Sequence, residues 1–446
     1  MAINIFSKTD HRSNLIIKNI SGSFVIKFAT ILINFLQVPL TLHYLNSFDY
    51  GIWLTLSSIL LWINYFDIGL GNGLRNKLAE ALAKKDYKLS QIFISTTFFI
   101  LLGVVIFLYF SFFLLQTLID WNQLLNISII NGSNLRKLIV AVFFIVSISS
   151  VFKIIGIIYI SHQLPIVNDI ITFLGSLLSL IGIFVLTKFY KGSLFNVALV
   201  YSISPLIIIL FMSLYTFTRV YPYLTPKFSL IKLFYIKELL GLSFSFFFLQ
   251  IAGMLIFTSA NILISNLYGP GEVTVYNLTY KYFSLVTYIF GIIIAPYWAA
   301  ITDAHINNDI LWIKKSLYQL KKIWIYLILL TLIMLIFANI AFRLWVGSDL
   351  KVPISLSIIF TVYITIANYN NILAFTLNGM GKLRMQIYCA IFVTIIFFPL
   401  AFLLSKFFQT NGILITICVC LLVSTIVQTI QLKKVINNKA TGAWNM

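Results

Sequence analysis

The sequence predicts an all-α, polytopic membrane protein, and three observations carry that prediction. Apolar stretches of about twenty residues recur from Ser21 to Leu432, the length a helix rising ~1.5 Å per residue needs to cross a ~30 Å hydrocarbon core. Hydrophobic residues make up 60% of the chain and charged residues 10%, whereas about a quarter of an ordinary soluble domain is charged. Lys and Arg gather in every second gap between the stretches. Backbone groups inside hydrocarbon must bond within a helix or a closed barrel. The continuous apolar runs exclude the alternation of a barrel.

Twelve spans account for the chain, six in each half. The first, Ser21–Leu42, is apolar apart from a few residues that include Lys27, Asn34 and Gln37, and it contains Pro39. The second, Gly51–Gly71, follows Asp49 and runs into the glycine-rich Gly69-Leu-Gly71-Asn-Gly73. The third, Gln91–Leu115, is uncharged; the fourth, Leu138–Ile160, contains Lys153. Asp169 lies near the inner end of the fifth, Ile166–Thr187, and Pro205 lies in the sixth, Leu194–Phe217. Glu238 opens the seventh, Leu239–Ile264. The eighth, Val273–Pro296, holds Lys281, and the ninth, Ile323–Leu344, ends beside Arg343. Ile354–Leu377, Gln386–Ser405 with Pro399, and Gly412–Leu432 complete the second half. No gap exceeds about 26 residues, so no soluble catalytic or binding domain fits between spans.

The net charge of +19 has the size of a nucleic-acid signal, but its distribution assigns it to membrane orientation. With the N-terminus inside, cytoplasmic segments hold 21 of the 31 cations and outer gaps hold only Arg136, Lys137, Lys188, Lys191, Lys351 and Lys406. That imbalance follows the positive-inside rule and places both termini in the cytoplasm. No nucleic-acid partner is expected. The first apolar run is too long for a signal peptide, and no small-residue cleavage site follows it. Cys389, Cys418 and Cys420 all lie within spans and read as packing residues rather than zinc ligands. The scattered histidines and acids form no metal or Ser-His-Asp motif, so neither a cofactor nor an enzyme is predicted. Gly69–Gly73 lacks the strand that precedes a phosphate loop.

A basic, proline-containing segment at residues 219–238 divides the chain into an N-lobe, 1–218, and a C-lobe, 239–446. Glu80-Ala81 and Asp86 recur as Asp303-Ala304 and Asp309, each pair 223 residues apart (303 − 80, 304 − 81 and 309 − 86). Both halves begin inside and hold an even number of spans, which predicts lobes related by a pseudo-two-fold axis along the membrane normal.

Charges within spans cost about 2.5–3.5 kcal/mol on insertion scales and mark candidate function. Arg343 lies close enough to a helix end to reach the interface. Lys27, Lys153 and Lys281 lie deeper on three helices; facing one cavity they form a cationic track for an anionic substrate, and facing outward they snorkel or pair locally. None has an acid at i±4 on its own helix. Asp67 and Asp169 are the acids best placed for ion coupling, a role that competes with a helix-end position for both.

Phe66-Asp67-Ile68-Gly69-Leu70-Gly71-Asn72-Gly73-Leu74-Arg75-Asn76-Lys77-Leu78-Ala79-Glu80-Ala81 resembles the block after the second helix of Wzx-type O-antigen flippases, in the superfamily that also holds MATE exporters and the lipid II flippase. Asn34-Phe-Leu-Gln-Val-Pro39-Leu and Asp49-Tyr-Gly-Ile-Trp53 are similar to the first and second helices of that flippase family. The resemblance implies a MATE/MOP-like fold in the bacterial inner membrane and translocation of an undecaprenyl-diphosphate-linked oligosaccharide by alternating access. An O-antigen polymerase and a chain-length regulator are the protein partners it implies, besides membrane lipids. The competing readings are a MATE-type drug or cation antiporter, which calls for deep acids rather than deep cations, and a membrane glycosyltransferase or O-antigen polymerase. The latter normally needs a large outer loop, and the longest outer gap is about 22 residues.

The topology makes a direct prediction. Reporter fusions truncated after Lys84 should report a cytoplasmic end, and fusions after Gly271 an outer one. Finding both on one side of the membrane would overturn the map.

Overall fold

Length and apolarity produce the helices that the sequence predicts. The computed structural model describes residues 11–61, 70–126, 132–240, 243–347 and 350–445. The helices in order are α1 His11–Leu45, α2 Ser47–Leu61, α3 Leu70–Ala83, α4 Tyr87–Leu115, α5 Trp121–Leu125, α6 Gly132–Phe152, α7 Ile154–Ser161, α8 Pro165–Phe189 and α9 Leu194–Tyr215. They continue as α10 Ile236–Leu240, α11 Ser243–Tyr268, α12 Pro270–Ile306, α13 Ile310–Ile336, α14 Ala338–Val346, α15 Ile354–Gly379, α16 Arg384–Phe408 and α17 Thr410–Ile436. Among the described residues, ten helical stretches are long and apolar enough to cross a membrane, and no strand occurs. The second predicted span is not among the ten: α2 stops at Leu61, and positions 62–69, with Asp67, lie outside the described residues. The seventh corresponds to α11, which is likewise not among the ten.

Two spans are broken in ways that hydropathy does not show. The fourth divides at Lys153, where Gly156 N–H bonds the Lys153 carbonyl at 3.0 Å, a tighter i→i+3 turn. The ninth divides at Phe337, which ends α13 and begins α14. Pro39, Pro205 and Pro399 are accommodated inside α1, α9 and α16. The eighth span was expected to end at Pro296, whereas α12 runs on to Ile306 and so extends beyond its apolar stretch.

The chain forms two packed units. The first comprises residues 1–46, 59–121 and 129–247; α1 packs on α8, α8 on α9, α9 on α6, and α3 on α4 and α7. The second comprises 47–58, 122–128 and 248–446, with α12, α13 and α17 packed around α15 and α16 against α17. Its residues Cys418 and Cys420 are buried on α17, and Cys389 on α16.

The 223-residue repeat has a structural meaning. Asp86 and Asp309 cap α4 and α13, each accepting a 2.9 Å bond from the backbone N–H three residues on, at Leu89 and Trp312. Each follows a left-handed residue, Lys85 with φ 58° and Asn308 with φ 56°, and each donates its own N–H back to the carbonyl of Ala81 or Ala304. These bonds close the preceding helix and start the next in one turn. At the same spacing Asn46 and Gly269 hold φ near +90° just before α2 and α12, and Asp49 and Glu272 lie in the first turns of those helices, where the helix dipole favours an anion. Pseudo-equivalent contacts join the starts of α2 and α12. The Thr274 hydroxyl donates to the Ser47 carbonyl, and Gly51 lets α2 approach the Pro270 carbonyl, which any Cβ at Gly51 would strike.

Gly73 has the same use in the first unit. A Cβ there would collide with the Leu239 carbonyl oxygen, so the glycine-rich stretch includes a position required for close helix packing. Gly73→Ala should therefore lower the melting temperature of the purified protein in detergent, whereas Gly103→Ala, in open space, should leave it unchanged or higher. Equal melting of the two variants would refute this role.

Candidate functional site

In the first unit, the packing of α1 on α8 brings together two residues singled out for different reasons. Lys27 Nζ lies 3.7 Å from Asp169 Oδ2, with the lysine side chain 55% and the aspartate 12% exposed. That oxygen is itself buried and without a hydrogen bond, so the ammonium meets it within ion-pair reach but beyond bonding distance. The pair forms across helices, which explains why neither residue has an i±4 partner. Further along α1 the contacts are uncharged. Gln37 Nε2 donates to the Ser176 carbonyl at 2.9 Å, the Thr41 and Tyr201 hydroxyls are 2.9 Å apart, and Tyr44 Oη donates to the Lys191 carbonyl at 2.7 Å. Lys153, in the same unit, is exposed at the break between α6 and α7.

In the second unit, Lys281 is half-buried on α12, and its Nζ donates to Tyr50 Oη at 3.1 Å. The Tyr50 ring, fully enclosed on α2, also lies beneath the ammonium at 5.8 Å, within cation–π range. Tyr276 and Tyr280 on the same helix continue into an aromatic group with Phe360 and Tyr363 of α15, at centroid distances of 5.1 Å for Tyr276–Phe360 and 6.4 Å for Tyr280–Tyr363. The Asn277 amide donates to Asn261 Oδ1 at 2.9 Å nearby on α12. Cation, phenols and amides together offer donors for phosphate oxygens and sugar hydroxyls, and the ring faces offer apolar surface. Among the described residues, no group of three His, Cys, Asp or Glu is placed to hold a metal ion.

The basic segment before α10 is also more than a tether, which its composition did not reveal. The Tyr221 ring stacks on His162 at 4.2 Å. Gln91 of α4 donates to the Thr225 carbonyl at 2.8 Å, and Ser95 and Thr96 accept from the N–H groups of Lys227 and Lys232 at 3.0 and 3.1 Å. Tyr235 packs edge-on to Phe93 at 5.1 Å, and Glu238 pairs with Lys77 at 2.7 Å. Chiefly through that hydrogen bond, Glu238 holds the Lys77 ammonium above its ordinary pKa, and Lys84 holds the Glu80 carboxyl below its own. The segment is bound along the first unit.

Comparison with known proteins accords with this architecture. The family model described as "Polysaccharide biosynthesis protein" matches residues 16–302. A Yersinia pseudotuberculosis protein provisionally named an O-antigen export protein is 25% identical over 371 residues, 80% of this chain and 82% of that one. The inward-facing structure of a multidrug resistance MATE transporter of the MOP superfamily superposes with a TM-score of 0.70 at 14% identity, covering 94% of this chain and 95% of that one. An outward-facing MATE structure of the same superfamily gives 0.61 at 14% identity, covering 98% and 100%. The fold is of the MATE type.

The ion pair makes a stability prediction. Lys27→Ala leaves a mostly buried carboxylate facing no charge and should cost on the order of 1 kcal/mol, discounted because the lysine is more than half exposed. Lys27→Ala/Asp169→Asn should recover part of that loss in thermal melting of the purified protein. A double variant no more stable than the single one would show that the two residues are not coupled.

Proposed function

The chain belongs to the polysaccharide biosynthesis protein family, and we propose that it flips undecaprenyl-diphosphate-linked O-antigen oligosaccharide units from the cytoplasmic to the periplasmic leaflet of the bacterial inner membrane. It is a multi-pass transporter of the MOP superfamily, not an enzyme. The observation that carries the substrate reading is Lys281, a cation within the eighth span held by a phenol and flanked by aromatic side chains. A sugar diphosphate is anionic and strongly hydrated, and hydrocarbon excludes it. Charge-assisted bonds from lysine lower its transfer cost, while ring faces pack against the C–H faces of sugars. Lys27 and Lys153 supply further cations along the route, and the Lys27–Asp169 pair opens to exchange its carboxylate for a phosphate oxygen.

The lobes 1–218 and 239–446, joined by the cytoplasmic segment 219–238, rock to expose the bound head group to each side in turn. Both termini lie in the cytoplasm, and the polymerase and chain-length regulator receive the product outside. The membrane potential, worth about 2.3 kcal/mol per charge per 100 mV, drives the anion outward. Asp67 and Asp169 are the alternative, as carboxylates for proton or sodium antiport. The Lys27 ammonium beside Asp169 favours the potential-driven cycle, because that carboxylate already has a cation.

Flipping of the lipid-linked oligosaccharide in proteoliposomes tests the reading. Lys281→Ala should slow it at least tenfold and Lys281→Arg should retain most of it. Valinomycin with potassium should inhibit more than nigericin. Wild-type flipping by a well-inserted Lys281→Ala would remove the cationic site, and a reversed order of ionophores with loss of activity in Asp169→Asn would replace the drive by antiport.

A further inference from the structure

The segment from Arg219 to Lys237 has two faces. Its inner face is fixed to the first unit: Leu224 is fully buried, and Tyr221 and Tyr235 pack on His162 and Phe93. Its outer face carries Phe228, Leu233 and Phe234, which are 76%, 67% and 84% exposed, interleaved with the exposed cations Arg219, Lys227, Lys232 and Lys237. The segment has no acid. Large apolar side chains alternating with cations that form no ion pair among the described residues suit neither plain water nor the centre of a bilayer.

Its depth is set by α4. Phe228 packs edge-on to Phe99 at 5.4 Å, and Ser95 and Thr96 bind its backbone. Ser95 and Thr96 come four and five residues after Gln91, where the apolar span begins (95 − 91 and 96 − 91), or ~6–8 Å along a helix. An irregular backbone is tolerated at such depth only when its polar groups are satisfied by protein. Here the N–H groups of Leu224, Thr225, Lys227, Leu230, Ile231, Lys232 and Tyr235 all donate to protein oxygens, and Pro222 and Pro226 have none to satisfy. Much of the backbone is thus satisfied by protein, as a position at the interface requires, while the side chains present what an interfacial element presents: apolar groups for the acyl boundary and cations for phosphates.

We propose that residues 219–237 form a docking surface for anionic phospholipid headgroups of the cytoplasmic leaflet, with Phe228, Leu233 and Phe234 inserted at the acyl boundary and Lys227, Lys232 and Lys237 on the phosphates. The bound lipid holds the inner end of α4 and the start of the second half at a fixed height in the membrane. The proposal rests on the cytoplasmic placement of the segment, not on the identity of the cargo.

Symmetric proteoliposomes separate the two, since no cargo is present and both leaflets are alike. The full-length Phe234→Trp variant, read as a fluorescence difference from the parent, should be quenched by phospholipids brominated near the headgroup and shielded from aqueous iodide. Brominated phosphatidylglycerol should quench more strongly than brominated phosphatidylcholine. At ~1 kcal/mol per surface cation, replacing Lys232 by Gln should lower that preference about fivefold, and replacing Lys227 as well should lower it again. Quenching by iodide but not by bromine places the face in water, or under a soluble partner, and overturns the proposal. Equal quenching by both lipids overturns its anionic selectivity. Because none of these readouts involves flipping, failure of the substrate reading leaves the outcome unchanged.

Discussion

The structure depends on one constraint: inside hydrocarbon a charge or a free backbone group must find its partner within the protein. The ten helical stretches long and apolar enough to cross a membrane, among the described residues, are the backbone's answer. Proline inside α1, α9 and α16 removes one helix donor each and leaves the carbonyl four residues back to be satisfied in another way. Span charges obey the same rule, with Lys27 beside Asp169 and Lys281 on Tyr50. A lysine held by a carboxylate is locally neutral and inexpensive to keep. Lys281 meets a phenol hydroxyl and a ring face instead, the surroundings in which the substrate reading places an anionic head group.

That constraint also explains the turns. A helix reversal at a membrane surface must close the carbonyls of one helix and the N–H groups of the next within a few residues. The sequences around Lys85-Asp86 and Asn308-Asp309 do so in the same way, with a left-handed residue followed by a capping aspartate. Similarity 223 residues apart is therefore strongest where backbone conformation restricts the residue choice. It fades inside the spans, where many apolar residues serve a lipid-facing helix equally well.

The helices were legible in the sequence because span length and apolarity are local properties. Asp86 and Asp309 could be read as a repeat, though not as caps. What stayed hidden depends on contacts between distant residues. Lys27 and Asp169 are 142 positions apart (169 − 27) and Tyr50 and Lys281 are 231 apart, so no helical periodicity links them. The breaks at Lys153 and Phe337 lie within apolar runs and leave hydropathy unchanged. Gly73 could be seen as one glycine of a cluster, but its use appears only when the Leu239 carbonyl arrives from the far end of the first unit.

The segment after α9 shows how composition alone can mislead. Four cations and two prolines describe an exposed tether, yet Ser95 and Thr96 turn its backbone toward α4. Those hydroxyls are fully buried on an apolar helix, where an unpartnered hydroxyl would cost about 1–3 kcal/mol. Their bonds to Lys227 and Lys232 remove that cost and fix the segment's orientation. The orientation then decides which side chains remain outside, and those are phenylalanine, leucine and lysine. Two small polar residues in the third span thus determine what the connection between the halves presents to the membrane.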